Sequence, residues 1–431
     1  MSYESRSAEE MEHQASPGDI AIGVVIGRSS EFFDFFVYAI ASVIVFPRVM
    51  FPFAEPLDAV LWSFAIFALA FLARPVGTLL FMAIDRRWGR GVKLTLALFL
   101  LGCATAGIAF MPDYSVAGFY AVIILAVMRT AQGVALGGTW DGLSSLLAMN
   151  APPNHRGWYA MIPQLGAPVG LFVAGALFAY LVTGLSEADF LAWGWRYPFF
   201  VAFAINVVAL FARLRIVVTP EYQAQFESLE LQPTRVRATL AEEGGSILIG
   251  AFIPLATFAL FHMVTVFPLS WVYLTAGEEV PGFLGIEIGT ALVGLAAIVA
   301  SGAIADRIGR RRLLIVCAVG IAVFALVAPL LLDGGQIGEF VYMVLGSALL
   351  GLSFGQSSGA LASRFRRRYR YTASALTSDL AWMFGAGFAP FVALFLAARF
   401  GLFSSGFYLL SGAVCTIVAL LLSRRDETRG E

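Results

Sequence analysis

Twelve apolar runs of about 20 residues or more follow one another along this chain, long enough for each to cross a bilayer as a helix. They occupy 18–46, 58–84, 93–111, 116–148, 156–182, 194–214, 245–272, 283–305, 312–332, 339–364, 370–398 and 402–423. Composition points the same way: 59% of the 431 residues are hydrophobic and 13% are charged, with a mean hydropathy of +0.82. A soluble domain of this length needs no such composition, whereas a bundle of membrane helices does. The expected fold is therefore an all-α membrane protein with twelve transmembrane helices. The net charge of −1 provides no basic surface for nucleic acid. Cys103, Cys317 and Cys415 all lie inside apolar runs and read as small packing residues, not as a disulfide framework.

The first run carries three charges, Arg28, Glu31 and Asp34, at a spacing that lets them share one helical face. An ionised group in hydrocarbon costs several kcal/mol, so it persists only against a partner or a water-filled path. Such a polar interior points to transport. Arg28 and Glu31 are spaced to pair with each other. Asp34 lies nearer midspan with no cation one turn away, so its partner belongs on another helix, and it leads the candidates for carrying a proton. Further along, Arg129 sits near the middle of the fourth run, suited to a carboxylate ligand or to a salt bridge with Asp34 or Asp141. Asp141, late in the fourth run, could take a proton, pair with an arginine or stand near the cytoplasmic vestibule, and Asp379, about nine residues into the eleventh, needs a partner or could take a proton. Gln164 follows Pro163, where a disrupted backbone and a side-chain amide could bond a ligand. Arg74 precedes Pro75, and could serve carbonyls freed by that proline or contact ligand. His262 reads as a packing residue. Glu287 lies near the outer end of the eighth run, where water is expected to reach it. Trp382 and Phe384 follow Asp379, and Trp140 and Phe33 could face it across a cavity.

Orientation follows from the 28 Lys and Arg residues. With the amino terminus inside, Arg6, Arg156 and the groups at 86–93, 213–237, 307–312, 364–370 and 424–429 all fall on the cytoplasmic side. Only Arg48 and Arg399 fall outside. That bias fits one orientation, with both termini cytoplasmic. The first 17 residues hold Glu4, Glu9, Glu10 and Glu12 without the positive start and apolar core of a signal peptide, and read as a solvated tail.

The segment 215–244 divides the runs six and six, giving halves at 18–214 and 245–423 and a short tail at 424–431. Asp85-Arg86-Arg87-Trp88-Gly89-Arg90 follows the second run, and Asp306-Arg307-Ile308-Gly309-Arg310 follows the eighth. Two similar halves with a midplane site between them is the plan of many secondary carriers.

Several strings carry a closer likeness: Glu31-Phe32-Phe33-Asp34-Phe35, Arg74-Pro75-Val76-Gly77, Arg129-Thr130-Ala131-Gln132-Gly133 with Gly137-Gly138, Pro163-Gln164-Leu165-Gly166, and Gly194-Trp195-Arg196-Tyr197-Pro198-Phe199. In this order and spacing the chain resembles the metabolite:proton symporter group of the major facilitator superfamily, whose members carry proline and betaine, shikimate, citrate or 2-oxoglutarate. The resemblance implies two pseudo-symmetric six-helix halves in a bacterial inner membrane, and proton-coupled symport of a small organic acid or zwitterion. The candidate substrate contacts are Arg28, Arg129, Gln132, Thr139 and Gln164, and the candidate proton-coupling groups are Asp34, Glu31, Asp141 and Asp379. Conformational roles fall to Arg74, Asp85, Arg86, Gly89, Asp306, Arg307, Gly309 and Arg310. No cofactor, metal or nucleic acid is expected, and a monomer suffices.

Three departures stand out. Thr139 occupies the place of the group's glutamate, and Asp141 lies two residues on, about 200° around the helix. Arg86 stands where the first loop motif has aspartate, with Asp85 displaced by one. Ser378-Asp379 replaces a Tyr-Asn pair. An uncoupled facilitator, a proton antiporter and a transporter-like ligand sensor remain alternatives.

Overall fold

The computed structural model describes residues 17–139, 147, 151–152, 154–217, 232–275, 280–362, 365–366 and 368–427. Asp141 and Trp140 lie outside the described residues. Among the described residues, eleven helices are long and apolar enough to cross a membrane. They are α2 (Pro56–Trp88), α3 (Arg90–Phe110), α4 (Phe119–Gly138), α5 (Arg156–Gly184), α6 (Tyr197–Val217), α7 (Leu255–Thr275), α8 (Val280–Ile308), α9 (Arg310–Leu332), α10 (Gly335–Ala362), α11 (Arg370–Phe400) and α12 (Phe403–Glu427). The twelfth, α1 (Pro17–Ile44), carries Arg28, Glu31 and Asp34 inside its apolar run. A further helix, Val236–Phe252, leads into α7. The end of the bundle where α1 begins and α12 finishes is called the near end below, and the opposite one the far end.

The two halves repeat one packing plan. In the first, α2 lies against α4 and α3 against α6; in the second, α8 lies against α10 and α9 against α12. Small residues set both close pairs. A side chain at Gly137 would come within 2.3 Å of Thr78 N, and one at Gly351 within 2.5 Å of Gly294 O, so backbone packs on backbone in each half. The loops at Gly89 and Gly309 repeat as well, with φ of 84° and 88°. Glycine adopts that left-handed region without the Cβ penalty other residues meet, so each long helix can stop and turn sharply into the next.

Helix breaks fall where proline removes a donor. Helix α5 passes through a 3-10 turn, Ile162–Leu165, that begins beside Pro163. Helix α7 breaks at Val266, two residues before Pro268. Helix α11 contains a π-turn, Met383–Gly387, ahead of Pro390. Such turns interrupt the regular ladder and free backbone groups inside the bundle. The halves meet along α5–α8 and α2–α11, and α1 packs on the far part of α7.

Candidate functional site

The three charges of α1 divide into a pair and a single. Arg28 Nη1 donates to Glu31 Oε2 at 2.5 Å. Asp34, only 4% exposed, takes its partner from another helix: the Thr105 hydroxyl of α3 donates to Asp34 Oδ1 at 2.7 Å. Thr105 Oγ1 in turn accepts from Gln132 Nε2 of α4 at 2.9 Å, and Gln132 Oε1 accepts from Arg129 Nη1 at 3.1 Å. Asp34 and Arg129 therefore stand at opposite ends of a buried string of hydrogen bonds instead of forming the direct salt bridge that the sequence left open.

Arg129 is 2% exposed. Its Nε donates to Phe67 O at 3.2 Å, and its guanidinium lies 3.9 Å from the Tyr38 ring centroid and 4.7 Å from that of Phe67. Ring faces stabilise a desolvated guanidinium. Nη2 has no hydrogen-bond partner. A buried donor left unmet costs about 1–3 kcal/mol, so Arg129 is held ready for one more acceptor.

A cavity of roughly 490 Å3, partly open to solvent, lies beside this string. Arg28, Glu31, Arg74 and Arg129 line it together with Phe32, Phe35, Phe71 and, from the other half, Trp382. Positive charge and aromatic faces dominate the wall. Arg74 does not serve a carbonyl freed by Pro75: its Nε donates to Asp379 Oδ1 of α11 at 2.8 Å, and Thr78 Oγ1 donates to Asp379 Oδ2 at 2.5 Å. This ion pair crosses between the halves, and Asp379 is 3% exposed.

His262 is wholly buried, ringed by Phe35, Phe67, Phe71 and Phe261 at centroid distances of 5.4–5.7 Å. Gln164 is buried in the 3-10 turn of α5, which touches α1 and α8. Thr139 caps the end of α4 and donates to Leu136 O at 3.0 Å. Glu287, expected to meet water, is instead 1% exposed, because it falls on the inward stripe of α8 with Phe283, Leu284 and Thr290.

At the near end the two loop motifs reach across the seam. Asp85 accepts from Arg90 Nε at 3.1 Å and lies 3.8 Å from Lys93 Nζ. Arg90 stacks 4.2 Å from the Tyr371 ring of α11, and Lys93 donates to the Tyr371 hydroxyl at 2.8 Å. Arg86 donates to Thr234 O at 3.2 Å. In the second motif Asp306 accepts from Gly157 N at 2.6 Å and Trp158 N at 3.1 Å, capping the start of α5. Arg310 Nε donates to Gln356 Oε1 at 3.3 Å, while Arg307 points to solvent. At the far end Arg48 joins Glu187 to Tyr273 of α7.

Sequence reasoning missed Thr105, Thr78, Tyr371 and Gln356. A hydroxyl or amide in an apolar run is too common to single out. Arg90 and Lys93 were read only as topology charges, although an acid four residues before Gly89 hinted at an inward ion cluster.

The family model described as Major Facilitator Superfamily matches residues 29–385. The inner membrane metabolite transport protein YhjE of Escherichia coli (strain K12) is 36% identical over 424 residues, covering 96% of this chain and 95% of its own length. The shikimate transporter of the same organism is 29% identical over 415 residues, 94% of each chain. Among solved structures, the proton:xylose symporter XylE bound to 6-bromo-6-deoxy-D-glucose superposes with a TM-score of 0.70 at 18% identity, over 95% of both chains.

Proposed function

The chain belongs to the major facilitator superfamily as a metabolite transporter, not an enzyme, and we propose that it couples a proton to symport of a small organic acid or zwitterion by alternating access. The observation that carries this reading is the string Asp34–Thr105–Gln132–Arg129, with an unmet Arg129 donor at the end beside the cavity. The relative named for shikimate transport supports a substrate with a carboxylate.

In this reading Asp34 takes the proton. As a carboxylate it accepts from Thr105; once protonated it presents a hydroxyl of its own, and the Thr105 hydroxyl must turn. The Thr105 oxygen then accepts from both Asp34 and Gln132, and the reorganised string loosens the hold of Gln132 on Arg129 Nη1. Arg129 can now offer two parallel N–H groups to a substrate carboxylate, the geometry in which guanidinium binds best. Proton and substrate are thereby loaded together. Arg28, Gln132, Thr139 and Gln164 border the ligand's path, and aromatic faces of Phe71 and Trp382 cover its apolar body. The Arg74–Asp379 bridge must part before the near end opens, so it serves as a latch. The loops at Gly89 and Gly309 brace the same end. The near end is cytoplasmic by the distribution of positive charge, the membrane is the bacterial inner membrane, and one chain is the working unit. Residues 18–214 and 245–423 move as the two rocking units, joined by 215–244.

The test uses proteoliposomes holding a pH-sensitive dye and a panel of organic acids, amino acids and betaines. Lumen acidification on adding one compound, absent in Asp34→Asn, is the expected result. With that compound, Arg129→Lys should raise KM about tenfold or more, since a charged hydrogen bond is worth about 1.5–3 kcal/mol. Uptake without acidification would leave an uncoupled facilitator. Acidification unchanged in Asp34→Asn would move the proton elsewhere.

A further inference from the structure

The far part of the seam between the halves holds a carboxyl that the scheme above does not use. Glu287 of α8 is 1% exposed, and neither of its oxygens has a hydrogen-bond partner. It stands one turn beyond Thr290 and Ala291 on the inward stripe of the helix. Those two residues line a second cavity of roughly 380 Å3, where Phe36, Ala167 and Leu171 of the first half face residues of the second. No wall hydroxyl bonds Glu287: Thr265 and Thr290 donate within their own helices, to Phe261 O at 2.8 Å and Ile286 O at 3.0 Å, and Ser347 of α10 makes no hydrogen bond to either carboxyl oxygen.

Groups on the neighbouring elements leave it equally alone. Helix α5 has no charged side chain at this level, and Glu187 beyond it is held by Arg48. Helix α7 brings His262, enclosed by rings, and Tyr273, which accepts from Arg48. Helix α10 brings Glu339 and also Tyr342, whose hydroxyl donates to Met263 O at 2.5 Å. Helix α9 ends at Asp333, which is exposed. Among the described residues none forms an ion pair with Glu287. An ionised carboxylate in such a place is far costlier than the neutral acid, so the closed seam holds Glu287 with its proton.

The next residue lies on the line where the two halves touch. Ile288 lies against α5 so closely that a Cβ on Gly175 would sit 3.1 Å from its Cγ1. Under alternating access, opening of the far end would separate α5 from α8 there and let water reach Glu287. We propose that Glu287 is a proton-binding site in the seam, loaded from solvent when the far end closes and emptied to the same side when it opens. Its ligand is the proton alone, and the proton it holds does not cross the membrane. The proposal rests on alternating access, and neither on the substrate nor on Asp34. Each closure takes up one proton, so the ratio of open to closed protein rises with pH, by at most about tenfold per pH unit.

The experiment follows far-end opening without substrate. Spin labels at Glu55→Cys and Gln336→Cys, exposed far-end positions on opposite halves, are placed in a chain whose Cys103, Cys317 and Cys415 are serine. Double electron–electron resonance in nanodiscs then reads the distance between them from acid to alkaline pH. The open population of the parent should grow with pH, Glu287→Gln should stay at the acid-limit distribution throughout, and Glu287→Asp should keep a pH response. A Gln variant that follows the parent overturns the site while leaving alternating access standing. A parent locked in one state at every pH counts against both. Should Glu287→Gln not fold, infrared spectra decide: the closed parent must show a neutral carboxylic-acid band that shifts in Glu287→Asp, and a band unchanged in Glu287→Asp overturns the assignment.

Discussion

The two near-end loops share a glycine at the same turn, yet they brace the bundle by different chemistry. In the second loop, Asp306 stands three residues before Gly309 and caps the first turn of α5 in the opposite half. Backbone N–H groups at a helix start carry partial positive charge, so a carboxylate there is well placed. In the first loop the acid stands four residues before Gly89. One residue on a helix is a rotation of about 100°, and that rotation takes Asp85 off the seam and into the first half. There it meets Arg90 and Lys93 and is 3% exposed. The seam is then crossed by the cations, through the ring and hydroxyl of Tyr371. Arg86, in the place corresponding to Asp306, reaches the Thr234 carbonyl. A shift of one position has exchanged a helix cap for a buried ion cluster.

That contrast orders the consequences of mutation. Asp85→Asn leaves two buried cations facing a neutral amide, and losing one partner of a buried ionic group costs about 3–5 kcal/mol. It should lower the melting temperature most, read by thermal unfolding in detergent. Asp306→Ala removes an acceptor from two amides in a partly wet place and should cost about 1–2 kcal/mol. Its clearer mark would be a shift towards a near end that stands open, read by labelling of a cysteine introduced at the buried Ala160 of α5. Tyr371→Phe keeps the ring beneath Arg90 and loses only the Lys93 bond, about 1 kcal/mol. Arg86→Ala should change stability by less than about 0.5 kcal/mol, since its side chain is exposed. If Arg86→Ala proved as damaging as Asp85→Asn, the two loops would brace alike and the contrast would fail.

Much of the architecture could be read before any coordinates. Long apolar runs give helices because lipid leaves the backbone no other partner. Gly89 and Gly309 announced the repeat, and the displaced Asp85 announced that its copies differ. The site was legible only in part. Asp34 and Arg129 could be named because charge in an apolar run is rare. Their link could not, since Thr105 and Gln132 belong to helices whose rotation about their own axes no local pattern fixes. The pairing of Arg74 with Asp379 spans 305 positions, and nothing near either residue points to the other. Glu287 shows the reverse error: closeness to a helix end suggested water, and the helix's rotation decided burial.

By itself, then, the sequence determined the number of the membrane helices, the division into two halves and the charges that hydrocarbon will not tolerate unpaired. Those follow from the transfer of single segments out of water, a property local to each segment. Which charge meets which, which carboxyl stays dry and which loop caps a helix were decided only by the tertiary structure. They depend on how helices rotate and approach one another, and that is set by packing over the whole bundle.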